Sequence, residues 1–198
     1  MRLHDFYIVL ILAGLAGIAA AAPADRGSFA LQTSIWKPST LDDEPSKPFK
    51  PVEGTDLSWG AGVCSPDVSG FALRLSLWQW QQRGVVTTVP LDKVQLRHLA
   101  VDLKYNLLGA TSIRPYVVYG GSALYGREVA AASFSTARDH FSFLGMAFTI
   151  GAGIDFLPFR HWGLSAEYQY LYVDLDEELG LTSRYSGPKV TCKLLYLF

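Results

Sequence analysis

The chain has 198 residues, with 17 Lys+Arg against 18 Asp+Glu, a hydrophobic fraction of 49%, 13% aromatics and only 18% charged residues. A near-neutral charge without basic clustering gives no support to a nucleic-acid partner. After the first two dozen residues there is no long unbroken apolar run, which excludes a helical membrane protein of the usual kind and leaves a soluble β-protein or a membrane barrel.

The N-terminus reads as a secretory signal. Arg2 and the amino group make a short basic region, Phe6 to Ala22 is almost wholly apolar, and Ala22-Pro23-Ala24 supplies a small-x-small cleavage site before Asp25. The competing reading is a retained membrane helix, since the run approaches the ~17 to 25 residues that span a bilayer. Its alanine-rich tail and small-residue site favour cleavage, which predicts a signal peptide over 1–24 and one mature domain over 25–198. No cysteine follows the apolar run, so a lipid anchor is not expected.

Eight strand segments follow in order, at roughly 28–38, 55–64, 71–82, 94–107, 112–127, 142–157, 161–175 and 185–198. In the third, Phe71, Leu73, Leu75 and Leu77 form one face, with Ala72, Arg74 and Ser76 on the other. The fourth sets Leu99, Val101, Leu103 and Tyr105 against His98, Ala100, Asp102, Lys104 and Asn106. In the sixth, Leu144, Met146, Phe148, Ile150, Ala152, Ile154 and Phe156 oppose Gly145, Ala147, Thr149, Gly151, Gly153 and Asp155. The seventh opposes Trp162, Leu164, Ala166, Tyr168, Tyr170 and Tyr172 to Gly163, Ser165, Glu167 and Gln169.

One face is thus apolar and the other small or polar, and the small and polar set is read as the interior of a closed sheet. This inverts a soluble barrel. Short links at 65–70, 108–111 and 158–160 alternate with longer ones at 39–54, 83–93, 128–141 and 176–184, as periplasmic turns and external loops do. The predicted fold is all-β, an eight-stranded antiparallel up-and-down transmembrane barrel. Several strands exceed the ~9 to 11 residues that cross a bilayer, so their upper parts should project beyond it. Tyr105, Trp162, Tyr196 and Phe198 suit an aromatic belt at the lower boundary, and Tyr125, Tyr170 and Tyr172 one at the upper. The strand phases put Cys64 inside and Cys192 outside, which argues against a disulfide.

Three stretches, Arg114-Pro115-Tyr116-Val117-Val118-Tyr119-Gly120-Gly121, Gly151-Ala152-Gly153-Ile154-Asp155-Phe156 and Ala166-Glu167-Tyr168-Gln169-Tyr170, resemble the eight-stranded OmpA-type and opacity-protein barrels of the bacterial outer membrane. The last strand, from Val190 to Phe198, is similar to the terminal strand that the family's assembly machinery recognises, with Tyr196 and Phe198 as the aromatic signal. The resemblance implies export to the outer membrane after signal cleavage. Its partners would be outer-membrane lipids and lipopolysaccharide, the barrel-assembly machinery, and an extracellular ligand held by the loops. It carries no peptidoglycan-binding domain over.

Arg74, Lys104, Arg114, Lys189 and Lys193 fall on the inner face with Asp102, Asp155 and Glu167. They could line a path for ions or pair into a network that fills the narrow lumen. Both signs are present and buried charges need partners, which favours the network. His98, Ser76 and Asp102 suggest a hydrolase on paper, but His98 and Asp102 lie about 13 Å apart along a strand at ~3.3 Å per residue. No catalytic residue, cofactor or metal is therefore assigned, and the chain is not read as an enzyme. The acidic runs Asp42-Asp43-Glu44 and Asp174 to Glu178 lack ligand spacing and read as solvated loop. The first loop, with Pro45, Pro48, Pro51, Lys47 and Lys50, reads as extended and water-exposed. The expected function is a structural or surface-interaction barrel with four external loops and a mostly filled polar lumen. The alternatives are a small-solute channel and a lipid A-modifying barrel enzyme.

Overall fold

The computed structural model describes residues 26–38, 49–51, 57–86, 91–108, 112–130, 140–179 and 182–198. The signal-peptide assignment and the run Asp42-Asp43-Glu44 lie outside the described residues, as do the side chains of Asp176, Glu177 and Glu178.

The strands are β1 (Ser28–Trp36), β2 (Phe49–Pro51), β3 (Leu57–Cys64), β4 (Phe71–Val86), β5 (Leu91–Asn106), β6 (Ile113–Ala130), β7 (His140–Phe156), β8 (Trp162–Leu179), β9 (Thr182–Arg184) and β10 (Gly187–Leu197). The sheet runs β10-β1-β3-β4-β5-β6-β7-β8, and β10 pairs with β8 to close it, every ladder antiparallel. The eight-stranded barrel expected from the alternation is therefore present. Closure removes the free edges of the sheet. Two three-residue strands were not expected: β2 pairs with β4 and β9 with β8, both beside the long connections.

The strands also run further into those connections than side-chain alternation indicates, β4 reaching Val86 and β8 reaching Leu179. The 18 residues of β6 and of β8, at ~3.3 Å each and a tilt of about 40°, rise roughly 45 Å. That exceeds the ~25 Å apolar band of a transmembrane barrel. By contrast β1 and β3 have 9 and 8 residues, so the tall part of the wall is built by β4 to β8.

The short turns are tightly made. Ser69 and Gly70 both have positive φ, 55° and 89°, and Val68 pairs with Phe71 around them. Positive φ at both central residues defines the hairpin turn whose twist suits the flanking strands. The Asn106 side-chain amide donates to Asp67 at 2.5 Å, and the Asn106 N–H to the Gly70 carbonyl at 2.8 Å, tying this turn to the next strand.

The two faces follow the expected phase near the short-turn end. Leu73, Val101, Ile150, Ile154, Leu164, Tyr168, Val190 and Leu194 are exposed outward, while Arg74, Ser76, Asp102, Thr149, Ser165 and Glu167 are buried inside. Phe71 packs on Tyr105 with ring centroids 4.6 Å apart, and Trp162 on Tyr196 at 5.1 Å, both pairs at that end.

Nearer the long-loop end the pattern reverses. The inward residues become Trp78, Trp80, Leu96, Val94, Leu124, Leu171, Val173 and Leu175, which with Trp36 and Tyr185 form one buried cluster. On the same stretches Gln81, Arg97 and Asp174 are exposed outward. The expectation of a small, polar interior along the whole strand is thus corrected. The lower lumen is polar and the upper lumen is an apolar core; the outer wall beside that core turns polar at Gln81, Arg97 and Asp174 but stays apolar at Ile35, Leu57 and Trp59 on β1 and β3.

Candidate functional site

The lumen side chains stack in layers above the short-turn end. In the lowest, Lys104 on β5 pairs with Asp155 on β7, and the Lys104 ammonium lies 4.2 Å from the Tyr116 ring centroid. The Tyr116 hydroxyl shares a 2.9 Å hydrogen bond with Ser165 and donates to Glu167 at 2.6 Å. A Cβ on Gly153 would stand 2.5 Å from the Tyr116 ring and hydroxyl. Glycine there makes room for a large neighbour.

The next layer centres on Glu167 of β8. Its carboxylate accepts hydrogen bonds from Arg74 Nη1 at 2.5 Å, Arg74 Nη2 at 3.1 Å and Lys193 Nζ at 2.5 Å, besides the Tyr116 hydroxyl. Arg74 also donates from Nε and Nη2 to Asp102 Oδ2, at 2.9 and 2.7 Å. Three strands separate β4 from β8 in either direction around the barrel, so the Arg74–Glu167 pair spans a diameter of the lumen. A pair this buried persists because each charge is hydrogen-bonded several times over; an isolated buried charge would be costly. Gly120 gives Asp102 its space, since a Cβ there would meet the Asp102 carboxylate.

Above this layer Lys189 lies 3.5 Å from the Trp78 ring centroid, and His98 stacks on Trp78 at 3.6 Å. Trp36 meets Trp78 at 5.6 Å and Trp80 at 5.0 Å, and Trp80 meets Tyr185 at 6.1 Å. The polar network and the aromatic cluster are therefore contiguous. Among the described residues, a space of about 30 Å³ lies beside Cys64, Lys104 and Tyr116, and one of about 10 Å³ beside Asp102, Gln169 and Lys189. Spaces of this size suit single waters.

All eight residues assigned to the lumen by strand phase stand on the inner face. Arg74, Asp102, Glu167 and Lys193 are brought into one network, Lys104 and Asp155 into the pair beneath it, and Lys189 over Trp78. Arg114, half-buried, is the register partner of Asp155 at the short-turn mouth. Tyr196 and Phe198 are exposed at that end, where the Phe198 N–H donates to the Gly27 carbonyl at 3.1 Å.

Strand parity could not single out Tyr116, Ser165 and the tryptophans as partners of these charges. Tyr116 sits in the inner phase of β6 and within the Arg114 to Gly121 stretch, but neither signal names its partners. His98, Ser76 and Asp102 do not form a catalytic set: Asp102 is held by Arg74, and His98 is stacked on Trp78 with neither ring nitrogen hydrogen-bonded among the described residues. Both cysteines are free, Cys192 exposed on the wall and Cys64 beside the lower lumen space. Among the described residues no group of three His, Cys, Asp or Glu side chains could hold a metal ion.

No family model matches the chain, and no curated protein matches it in sequence. Solved structures do. Neisserial surface protein A, NspA, superposes with a TM-score of 0.62 at 11% identity, over 87% of this chain and 97% of that one. The N-terminal β-barrel domain of Pseudomonas aeruginosa OprF gives 0.56 at 12% identity, over 88% and 98%. Ail, the attachment invasion locus protein of Yersinia pestis, gives 0.51 at 12%, over 89% and 100%. At these identities the likeness concerns the backbone, and it covers the described barrel with nearly the whole of each matched chain. The chain therefore has the fold of the eight-stranded outer-membrane β-barrels.

Proposed function

We propose that the protein spans the bacterial outer membrane as a plugged barrel, a scaffold that displays its long-loop end outside the cell and conducts no solute. The single observation that carries this reading is the lumen: ion pairs cross its diameter at Arg74 and Glu167, and the Trp36, Trp78 and Trp80 cluster lies directly above. The exposed apolar wall below that cluster supports membrane insertion, because so continuous an apolar surface is not tolerated in water. NspA is by name a surface protein and Ail an attachment invasion locus protein. Those names favour a surface-contact role here too, and in this chain the long loops are the part that would make the contact. Exposed Tyr196 and Phe198 suit recognition by the assembly machinery, and residues 1–24 suit export. The stacking of His98 on Trp78 and the pairing of Asp102 with Arg74 favour a non-catalytic reading.

Planar-bilayer recording of the refolded protein tests the plug. The expected result is insertion without steady conductance, and a small conductance once Arg74→Ser, Glu167→Ser and Trp80→Ala are combined. A steady open level in the unmodified protein would favour the solute channel instead.

A further inference from the structure

The outer wall carries a recess where its apolar band meets its polar rim. Ala61, Leu77, Leu99 and Ala123 form one row around the wall, successive register partners on β3, β4, β5 and β6. The row above it holds Trp59, Gln79, Arg97 and Tyr125, again successive partners. The alanines fall beside the large rings of Trp59 and Tyr125, and the height difference leaves a recess of about 510 Å³. That volume lies within the range of about 300 to 1,000 Å³ typical of small-molecule sites. Arg97 is exposed at its polar edge, and its Nε donates to Gln79 Oε1 at 3.1 Å, which fixes the plane of the guanidinium.

We infer that this recess binds one phosphate-bearing anionic membrane lipid, an acyl chain lying over Ala61, Leu77, Leu99 and Ala123 and the phosphate on Arg97. The inference rests on the membrane reading above. Charge complementarity selects the occupant. A cation held in plane at the boundary between hydrocarbon and water matches the depth at which a lipid carries its phosphate, and guanidinium binds phosphate with paired hydrogen bonds. Trp59 and Tyr125 suit the walls, since aromatic rings favour this boundary. A zwitterionic lipid offers the same chain but offsets its phosphate with its own cation, so the site distinguishes headgroups.

Fluorescence quenching by brominated lipids reads this directly. Trp36, Trp78 and Trp80 are buried inside, which leaves Trp59 and Trp162 as the exposed indoles. In a Trp162→Phe background, small fractions of brominated phosphatidylglycerol should quench Trp59 in phosphatidylcholine vesicles with about five-fold higher apparent affinity than brominated phosphatidylcholine, the effect of one basic residue near an anionic lipid. Arg97→Gln should bring the two lipids to parity, and Arg97→Lys should restore part of the preference. Equal quenching in the parent, or a preference untouched by Arg97→Gln, would overturn the site. In a Trp59→Phe background, both lipids should quench Trp162, and Arg97→Gln should leave that quenching unchanged. Absence of lipid quenching at Trp162 would overturn the membrane reading itself, whereas a quenched Trp162 with no headgroup preference at Trp59 overturns the lipid site alone.

Discussion

Arg74 and Glu167 meet at 2.5 Å across the full width of the barrel, each contributed by a strand with three others between them on either side. The contact joins opposite walls, so it does more than fill space: it ties the closure of the sheet to a charge pair. Removing one partner leaves a buried charge, an effect worth about 3 to 5 kcal/mol where such pairs are fully desolvated. Arg74→Met should therefore destabilise the barrel by an amount in that range, and the double variant Arg74→Met with Glu167→Gln should recover part of it. Urea unfolding in lipid vesicles would supply both numbers; equal losses in the single and double variants would show that the pair is not coupled.

Gly153 is required by Tyr116. A side chain at 153 would occupy the place of the Tyr116 ring, whose hydroxyl serves Ser165 and Glu167. Gly153→Val should cost about 1 to 3 kcal/mol by overpacking, and Tyr116→Ala in the same chain should return some of that loss. Additive losses in the double variant would contradict the assignment.

The upper lumen behaves as the core of a soluble protein. Trp80 is fully buried between Trp36 and Tyr185. Trp80→Ala should cost about 3 to 5 kcal/mol, while Gln81→Ala, exposed on the outer wall one residue further, should stay within about 0.5 kcal/mol. Comparable losses at the two positions would contradict the inward placement of the aromatic cluster.

What the sequence discloses and what it conceals divide along the barrel axis. Where the outer face is apolar, as at Leu73, Val101, Ile150 and Leu164, the period-two pattern states the phase, and the eight long strands follow from it. Past Leu77 the outer residues turn to Gln79 and Gln81, and past Leu99 to Arg97, while Trp78, Trp80 and Leu96 take the inside. The contrast between faces then reverses sign, so a rule of polar side chains inward fails there. The ends of β4 and β8 were hidden for a related reason. Gln81-Gln82-Arg83-Gly84 has no alternation, and its strand geometry is held by backbone ladders that no side-chain pattern records. The inner position of each lumen charge is legible from parity alone. That Arg74 reaches Glu167 is not, because the pairing depends on which strands stand opposite after closure.

The two free cysteines report the phase independently. With Cys64→Ser, a lipid-soluble maleimide should label Cys192, which is exposed on the wall. With Cys192→Ser, Cys64 should label far more slowly than Cys192 does, since it stands half-buried on the inner face. Rapid labelling of Cys64 in the folded protein would mean that the lower lumen is open.

The central claim is that one strand shows hydrocarbon to one side and a packed polar lumen to the other. On β8 it can be tested at neighbouring sites. Ala166 is exposed outward, between Trp162 and Tyr172, and Gln169 is buried inside as the register partner of Lys189. Folding titrations into lipid vesicles should show Ala166→Arg losing about 2 to 4 kcal/mol, the cost of a cation facing lipid near the midplane. Gln169→Glu changes shape little and places a carboxylate beside Lys189, so it should lose far less. If Gln169→Glu proves the more damaging of the two, the assignment of wall and lumen is wrong.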